Sequence, residues 1–273
     1  MKVLHIVLLV AVLCCSVQFS KAIQRRIGAF NIQVFGQSKA GEWWVMYDLV
    51  QILKRYDLVL IQEIRDSSGT AIIELLDDLN GSTGNAYNMI IGSRQGRSNS
   101  KEQYCYFYKK SVFQVLDQNE YPDYNDDFER PPFNVRFRDK GDGKEFVASG
   151  LHAKPDDAVK EIDRMIDVYT HIENTLGTSD VVMMGDFNAD CSYVGSSDWS
   201  SISLWTDSRF NWLINNYADT TVSSTDCAYD RIVTAGSLNF YSGKVYEFDK
   251  ELSLETYNPV DVSDHYPVEA YVA

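Results

Sequence analysis

Residues 180 to 188 read Asp-Val-Val-Met-Met-Gly-Asp-Phe-Asn, with no polar side chain between the two aspartates. A run this short and this apolar lacks the alternation of a half-wetted strand, so it predicts a β-strand covered on both faces. A strand of that kind needs a layer above and a layer below it. The rest of the chain supplies them. Arg26–Phe35 and Asp57–Glu63 read as strands, separated by a helix with Trp43, Met46, Tyr47, Val50 and Leu53 at helical spacing. A second helix follows, with Ile72, Leu75, Leu76 and Leu79 on one face, and then strands at 87–92, 103–110 and 111–116. Strands at 133–138 and 144–152 are joined by Asp139-Lys140-Gly141-Asp142-Gly143, a hairpin sequence. The helix after Pro155 is expected to bury Val159, Ile162, Ile166 and Tyr169, and late strands at 229–236 and 266–273 close the chain. The pattern predicts two sheets packed face to face with helices outside.

At the N-terminus, Lys2, an apolar stretch from Val3 to Cys15 and the small residues around Ser20-Lys21-Ala22 have the form of a secretory signal with cleavage after Ala22. A membrane anchor is the alternative, but the stretch is shorter than the roughly 20 residues a span requires. Residues 1–22 are thus expected to be a signal and 23–273 one domain, since no linker, low-complexity tract or repeat divides them. Secretion exposes Cys105, Cys191 and Cys227 to an oxidising compartment, where one pair and one leftover thiol is the simplest assignment. Cys105, inside an aromatic strand, is expected to be a buried thiol, and Cys191 and Cys227, which flank loop-rich sequence, are expected to form the bridge. Asn80-Gly81-Ser82 is a glycosylation sequon. The net charge of -14 argues against a broad basic DNA-binding face, so a polyanionic substrate would need cations and local arginines to offset repulsion; acidity that serves solubility alone fits the charge equally well.

Polar groups collect where apolar strands stop: Asn31, Glu63, His152, Asp186, Asn188, Asp230 and the pair Asp264-His265. Any one of them is more simply a turn or cap residue. Together, beside buried strands, they predict a single cluster. Its inventory suits phosphodiester hydrolysis. A hard cation such as Mg²⁺ takes carboxylate and amide oxygens, and histidine can move a proton near neutral pH, most often when a carboxylate orients its ring. His171 falls on a helix's polar side and is expected to be solvated.

Six segments, "FNIQVFG", "YDLVLIQEIRDS", "GLHAKPDDAVKEI", "MGDFNADCSYV", "CAYDRIV" and "SDHYPVE", resemble the deoxyribonuclease I family within the wider endonuclease/exonuclease/phosphatase fold, over a likeness running from about Ile27 to the C-terminus. Singly, motifs such as "GDFN" occur in many phosphohydrolases; in this order they are specific. The resemblance implies a four-layered α/β sandwich, in which two packed mixed sheets are flanked by helices. It also implies a monomer that nicks double-stranded DNA to 5′-phosphate and 3′-hydroxyl ends without engaging a membrane. It makes Glu63 an Mg²⁺ (or Mn²⁺) ligand with Asn31, Asp186 and Asn188 in support. Glu102 is then the partner of His152 and Asp230 that of His265, with His152 as general acid and His265 as general base. Arg65, Arg130 and Tyr229 match DNA contacts, and Cys191 and Cys227 match a structural disulfide. One Ca²⁺ loop is matched by Asp219, Thr221 and Thr225. A second is matched by Asp126 and Phe128 only in part, because Pro131 replaces an acidic residue. Ser100 stands where the family has a groove-packing tyrosine, and Gln33 where it has an arginine. Actin binding is not implied, since Met89, Ile91 and Phe133 replace the residues that make that contact. A sphingomyelinase-like phosphodiesterase of the same fold, which should carry an exposed apolar loop, and a binding protein without catalysis are the competing readings.

Overall fold

A computed structural model describes residues 24–256 and 258–273, so the expected signal sequence lies outside the described residues. The first half supplies β1 (Arg25–Phe35), β2 (Leu58–Ile64), β3 (Tyr87–Ile91), β4 (Gln103–Lys109), β5 (Phe113–Glu120) and β6 (Phe133–Asp139). The second supplies β7 (Glu145–Gly150), β8 (Val181–Asp186), β9 (Asn211–Trp212), β10 (Asp230–Ala235), β11 (Phe240–Val245) and β12 (Val268–Val272). They form two six-stranded sheets, ordered β11-β12-β1-β2-β4-β3 and β5-β6-β7-β8-β10-β9. Both sheets have the same plan. The middle pair is parallel, β1 with β2 and β7 with β8, and every other neighbour is antiparallel. A parallel pair needs a crossover, and a helix lies in each one. After a short helix α1 (Gln37–Ala40), α2 (Trp43–Leu53) joins β1 to β2; α3 (Ala71–Thr83) follows β2, and α4 (Ala158–Leu176) joins β7 to β8.

Period-two alternation assigns the layers. On β4, Tyr104, Tyr106 and Tyr108 enter the core between the sheets with Phe133, Phe137, Phe146, Val182 and Met184. Cys105 and Phe107 point the other way, into the core under α2 and α3. Val147, Val181 and Met183 form the third core with α4. The result is helices, sheet, sheet, helix, the four layers expected. Among the described residues no helix is long and apolar enough to cross a membrane.

Helical phase differs from expectation in two places. On α2 the buried side runs through Val45, Met46, Leu49, Val50, Ile52 and Leu53, while Trp43 and Tyr47 are 65% and 46% exposed. On α4, Val159 and Ile166 are only half-buried and Glu161 lies fully inside the stripe. The sequon asparagine is also engaged: Asn80 Nδ2 donates to Tyr87 O at 3.2 Å and its Oδ1 accepts from Tyr87 N at 2.8 Å. His171 is half-buried with its ring edge-on to Tyr121, not free in solvent.

Candidate active site

The two parallel pairs present their C-terminal ends on one side of the sandwich, and the side chains there converge. Asn31 on β1 donates through Nδ2 to Glu63 Oε1 at 3.0 Å and to Asp186 Oδ2 at 3.2 Å, so one amide links β1 and β2 to β8 of the other sheet. His152, just past β7, faces Glu102 Oε2 through Nδ1 at 2.8 Å. His265, just before β12, faces Asp230 Oδ2 through Nδ1 at 2.8 Å. The Nε2 atoms of both rings turn to the same oxygen, Asp186 Oδ2, at 3.5 Å for His152 and 3.6 Å for His265. Asn188 is held beside them, its N–H on Asp186 Oδ1 and its side-chain amide on Ala153 O, both at 2.9 Å.

Arginines and an aromatic ring border this cluster. Arg130 Nε lies 3.4 Å from Glu102 Oε2 and donates to His152 O at 3.1 Å; Arg65 Nε lies 4.0 Å from Glu102 Oε1. Arg65 also donates to the Ser100 hydroxyl. The Tyr229 ring packs on Tyr193 and lies 6.3 Å from the His265 ring. Burial pushes the Glu102 carboxyl up, but His152, Arg130 and Arg65 more than offset it and hold Glu102 below its ordinary value. Asp230, fully buried, is pushed up by the loss of solvent despite His265. Burial opposes charge on His265 as well, yet Asp230 and Asp186 outweigh it and raise the imidazole above its ordinary value.

Several residues that organise the cluster were not singled out from the sequence. Gln62, fully buried, donates to Leu151 O at 2.7 Å and accepts from Asp186 N at 2.9 Å, tying the sheets together below the site. Gly185, at φ 135, makes room for it: a Cβ there would stand 2.3 Å from Leu151 O. Tyr104 OH accepts from His152 N at 2.8 Å and donates to Arg130 O at 3.1 Å. Ser263 Oγ accepts from His265 N and donates to Asn31 O. Thr220 Oγ1 accepts from Asp230 N at 3.1 Å. Gln62 alone had a visible signal, a lone amide inside an apolar strand. The others act through backbone groups and have no sequence pattern.

Oxygen donors dominate the cluster: the carboxylates of Glu63 and Asp186 flank the Asn31 amide, and Asp186, Asp230 and His265 bring three ligand atoms within 4.8 Å of one another. That donor set fits a hard divalent cation. Asp219, Thr221 and Thr225 also come together. The Thr221 hydroxyl lies 2.7 Å from Asp219 Oδ1 and against Thr225 O. Asp126 already has a charged partner within the chain. Arg97 donates to Asp126 Oδ1 at 2.9 Å and to Asp126 O at 2.6 Å, so a cation bound by Asp126 would compete with that guanidinium. Cys191 and Cys227 form a disulfide, and Cys105 is a buried thiol pushed well above its ordinary pKa by desolvation.

The sequence profile of the endonuclease/exonuclease/phosphatase family matches residues 28–265. Human deoxyribonuclease-1 is 43% identical, with 96% of this chain and 97% of that protein covered. The chain belongs to the deoxyribonuclease I family. Bovine deoxyribonuclease-1 is 45% identical over 89% of this chain and 90% of its own length. Solved structures at lower identity share the fold of this family. An endonuclease/exonuclease/phosphatase from Bacteroides vulgatus aligns with a TM-score of 0.63 at 20% identity, covering 92% of this chain and 99% of that one. The human Nocturnin catalytic domain gives 0.63 at 12% identity, covering 92% and 93%.

Proposed function

We propose that this deoxyribonuclease is a secreted, divalent-cation-dependent endonuclease that nicks double-stranded DNA, leaving 5′-phosphate and 3′-hydroxyl ends. The observation that carries the reading is the convergence of two carboxylate-held imidazoles, one from each sheet, on a single carboxylate oxygen of Asp186. Hydrolysis of a phosphodiester needs one group to take a proton from water and another to give one to the leaving oxygen, and two imidazoles at one site can divide those tasks. Glu63 and Asp186, with Asn31 and Asn188 beside them, would hold Mg²⁺ or Mn²⁺. When bound, the ion polarises phosphoryl oxygens and neutralises developing charge.

Each remaining task falls to a side chain with a suitable position. Arg65, Arg130 and Tyr229 border the cluster and bind the backbone phosphates, supplying local positive potential on an acidic protein. His152 delivers a proton to the leaving oxygen. His265 takes one from the attacking water, for which it must start neutral. The pull of Asp186 on the His265 proton lessens when that carboxylate is shared with a cation. The Asp219–Thr225 loop would take Ca²⁺. Secretion is supported by the disulfide and by the N-terminal sequence.

The test is nicking of supercoiled plasmid with Mg²⁺ and Ca²⁺, with and without EDTA, beside sphingomyelin vesicles as a second substrate. Chelator-sensitive conversion to open circles, with ends that ligase can reseal, is expected. Cleavage that survives EDTA, or turnover of sphingomyelin alone, would overturn the reading.

A further inference from the structure

We propose that Lys39 is a positioning residue for the cation-binding pair Asn31 and Glu63, clamping the backbone bend that aims both side chains. The inference rests on the reading of those two residues as metal ligands. β1 does not run straight to its end: its register with β2 shifts between Asn31 and Phe35, and Gln33 (φ 45) and Val34 (φ 51) are both left-handed. For a β-branched residue such as Val34 that conformation is costly and persists only where the surroundings enforce it.

The bend has a definite product. It turns Gln33 N onto Asn31 Oδ1 at 3.0 Å and Val34 N onto Glu63 Oε2 at 2.8 Å, so two consecutive N–H groups fix the two ligands. Lys39, on α1, reaches back under it. Its ammonium donates to Ile32 O and Gln33 O, both at 2.9 Å, with the carboxylates of Asp264, Glu63 and Asp261 around it. Those carbonyls flank left-handed Gln33 within the stretch that leaves the register with β2, where they need a partner. An uncharged side chain of similar length leaves them without one. The bend can then relax toward ordinary strand, and the N–H groups leave Asn31 and Glu63.

The experiment titrates Mn²⁺ into DNA-free protein, following the free-ion EPR signal at saturating Ca²⁺, for wild type, Lys39→Met, Lys39→Arg and Glu63→Gln. Lys39→Met should weaken Mn²⁺ binding roughly 10- to 100-fold, as loss of a ligand-orienting group does. Lys39→Arg, which keeps two donors, should stay within a few-fold of wild type. The sign is diagnostic. Removing a cation beside Glu63 would tighten Mn²⁺ if charge alone mattered, so unchanged or tighter binding in Lys39→Met overturns the proposal, provided Glu63→Gln weakens it. If Glu63→Gln binds Mn²⁺ like wild type, the ligand assignment itself falls. Should Lys39→Met fail to fold, Lys39→Gln, which keeps one donor for the two carbonyls, takes its place and should weaken Mn²⁺ binding several-fold; affinity equal to or tighter than wild type would overturn the proposal as well.

Discussion

His152–Glu102 and His265–Asp230 both close at 2.8 Å, yet Glu102 lies between two arginines whereas Asp230 is buried beside a second carboxylate, Asp186. One pair borders the guanidinium groups of Arg65 and Arg130. The other belongs to an anion-rich interior that favours the imidazolium. The same two-residue geometry thus stands in two electrostatic settings, and the neighbours rather than the pair set the difference.

Removing either ring breaks the comparison most severely. His152→Ala and His265→Ala should each lose roughly 10²- to 10⁴-fold in plasmid nicking with the far-UV spectrum unchanged. Near-native nicking by either variant would remove that histidine from the reaction. The disulfide is next in size and lies on the His265 side, since Cys227 lies three residues before Asp230. It closes a separation of 36 residues, for which chain entropy gives about 4 kcal/mol. Cys191→Ser/Cys227→Ser should melt markedly lower in EGTA, with part of the loss recovered when Ca²⁺ binds the native Asp219 loop. Equal melting of variant and wild type in EGTA would rule out a structural role for the bridge.

The carboxylates sharpen the contrast. Asp230→Asn and Glu102→Gln should each lower kcat by about 10²-fold, since each leaves its imidazole without an orienting anion. Only Glu102→Gln should also lower KM for DNA, because it frees Arg65 and Arg130 for phosphates. An unchanged KM in Glu102→Gln would mean that the arginines do not serve substrate binding. The smallest effect belongs to Glu161, behind the His152 side, where it accepts from Glu129 N at 2.9 Å. Burial raises its carboxyl to about 7, against the pull of the Glu129 N–H and of Arg130. A raised carboxyl pKa means that the folded state binds the extra proton, so stability falls as pH rises from the unfolded value near 4.5 to about 7 and is level above. Glu161→Gln should remove that slope, on the order of 2 kcal/mol, in melting curves taken between pH 5 and 8. Parallel curves for the two proteins would show that Glu161 does not titrate in this range.

How much of this was legible follows from what each residue answers to. The strand-end groups were, because each interrupts an apolar run, and the two sheets followed from strands with no wet face. The phase of α2 and α4 was not. Helical spacing fixes a period, while docking against a sheet chooses which side of the helix is covered, so Trp43 stays out and Glu161 goes in. β11 escaped notice because a register shift between Tyr241 and Lys244, with Ser242 at φ 56, breaks the alternation that marks a strand. Gly185, Tyr104 and Ser263 serve backbone atoms of distant segments, and only the folded chain brings those within reach.

Whether the two pairs act together on one phosphodiester is tested most directly by single-turnover nicking of one supercoiled plasmid by His152→Ala, His265→Ala and the double variant, at matched Mg²⁺ and Ca²⁺. Groups that work as a unit are not additive. The double variant should be about as slow as the slower single variant. Losses that multiply would show two independent contributions and contradict a shared site at Asp186.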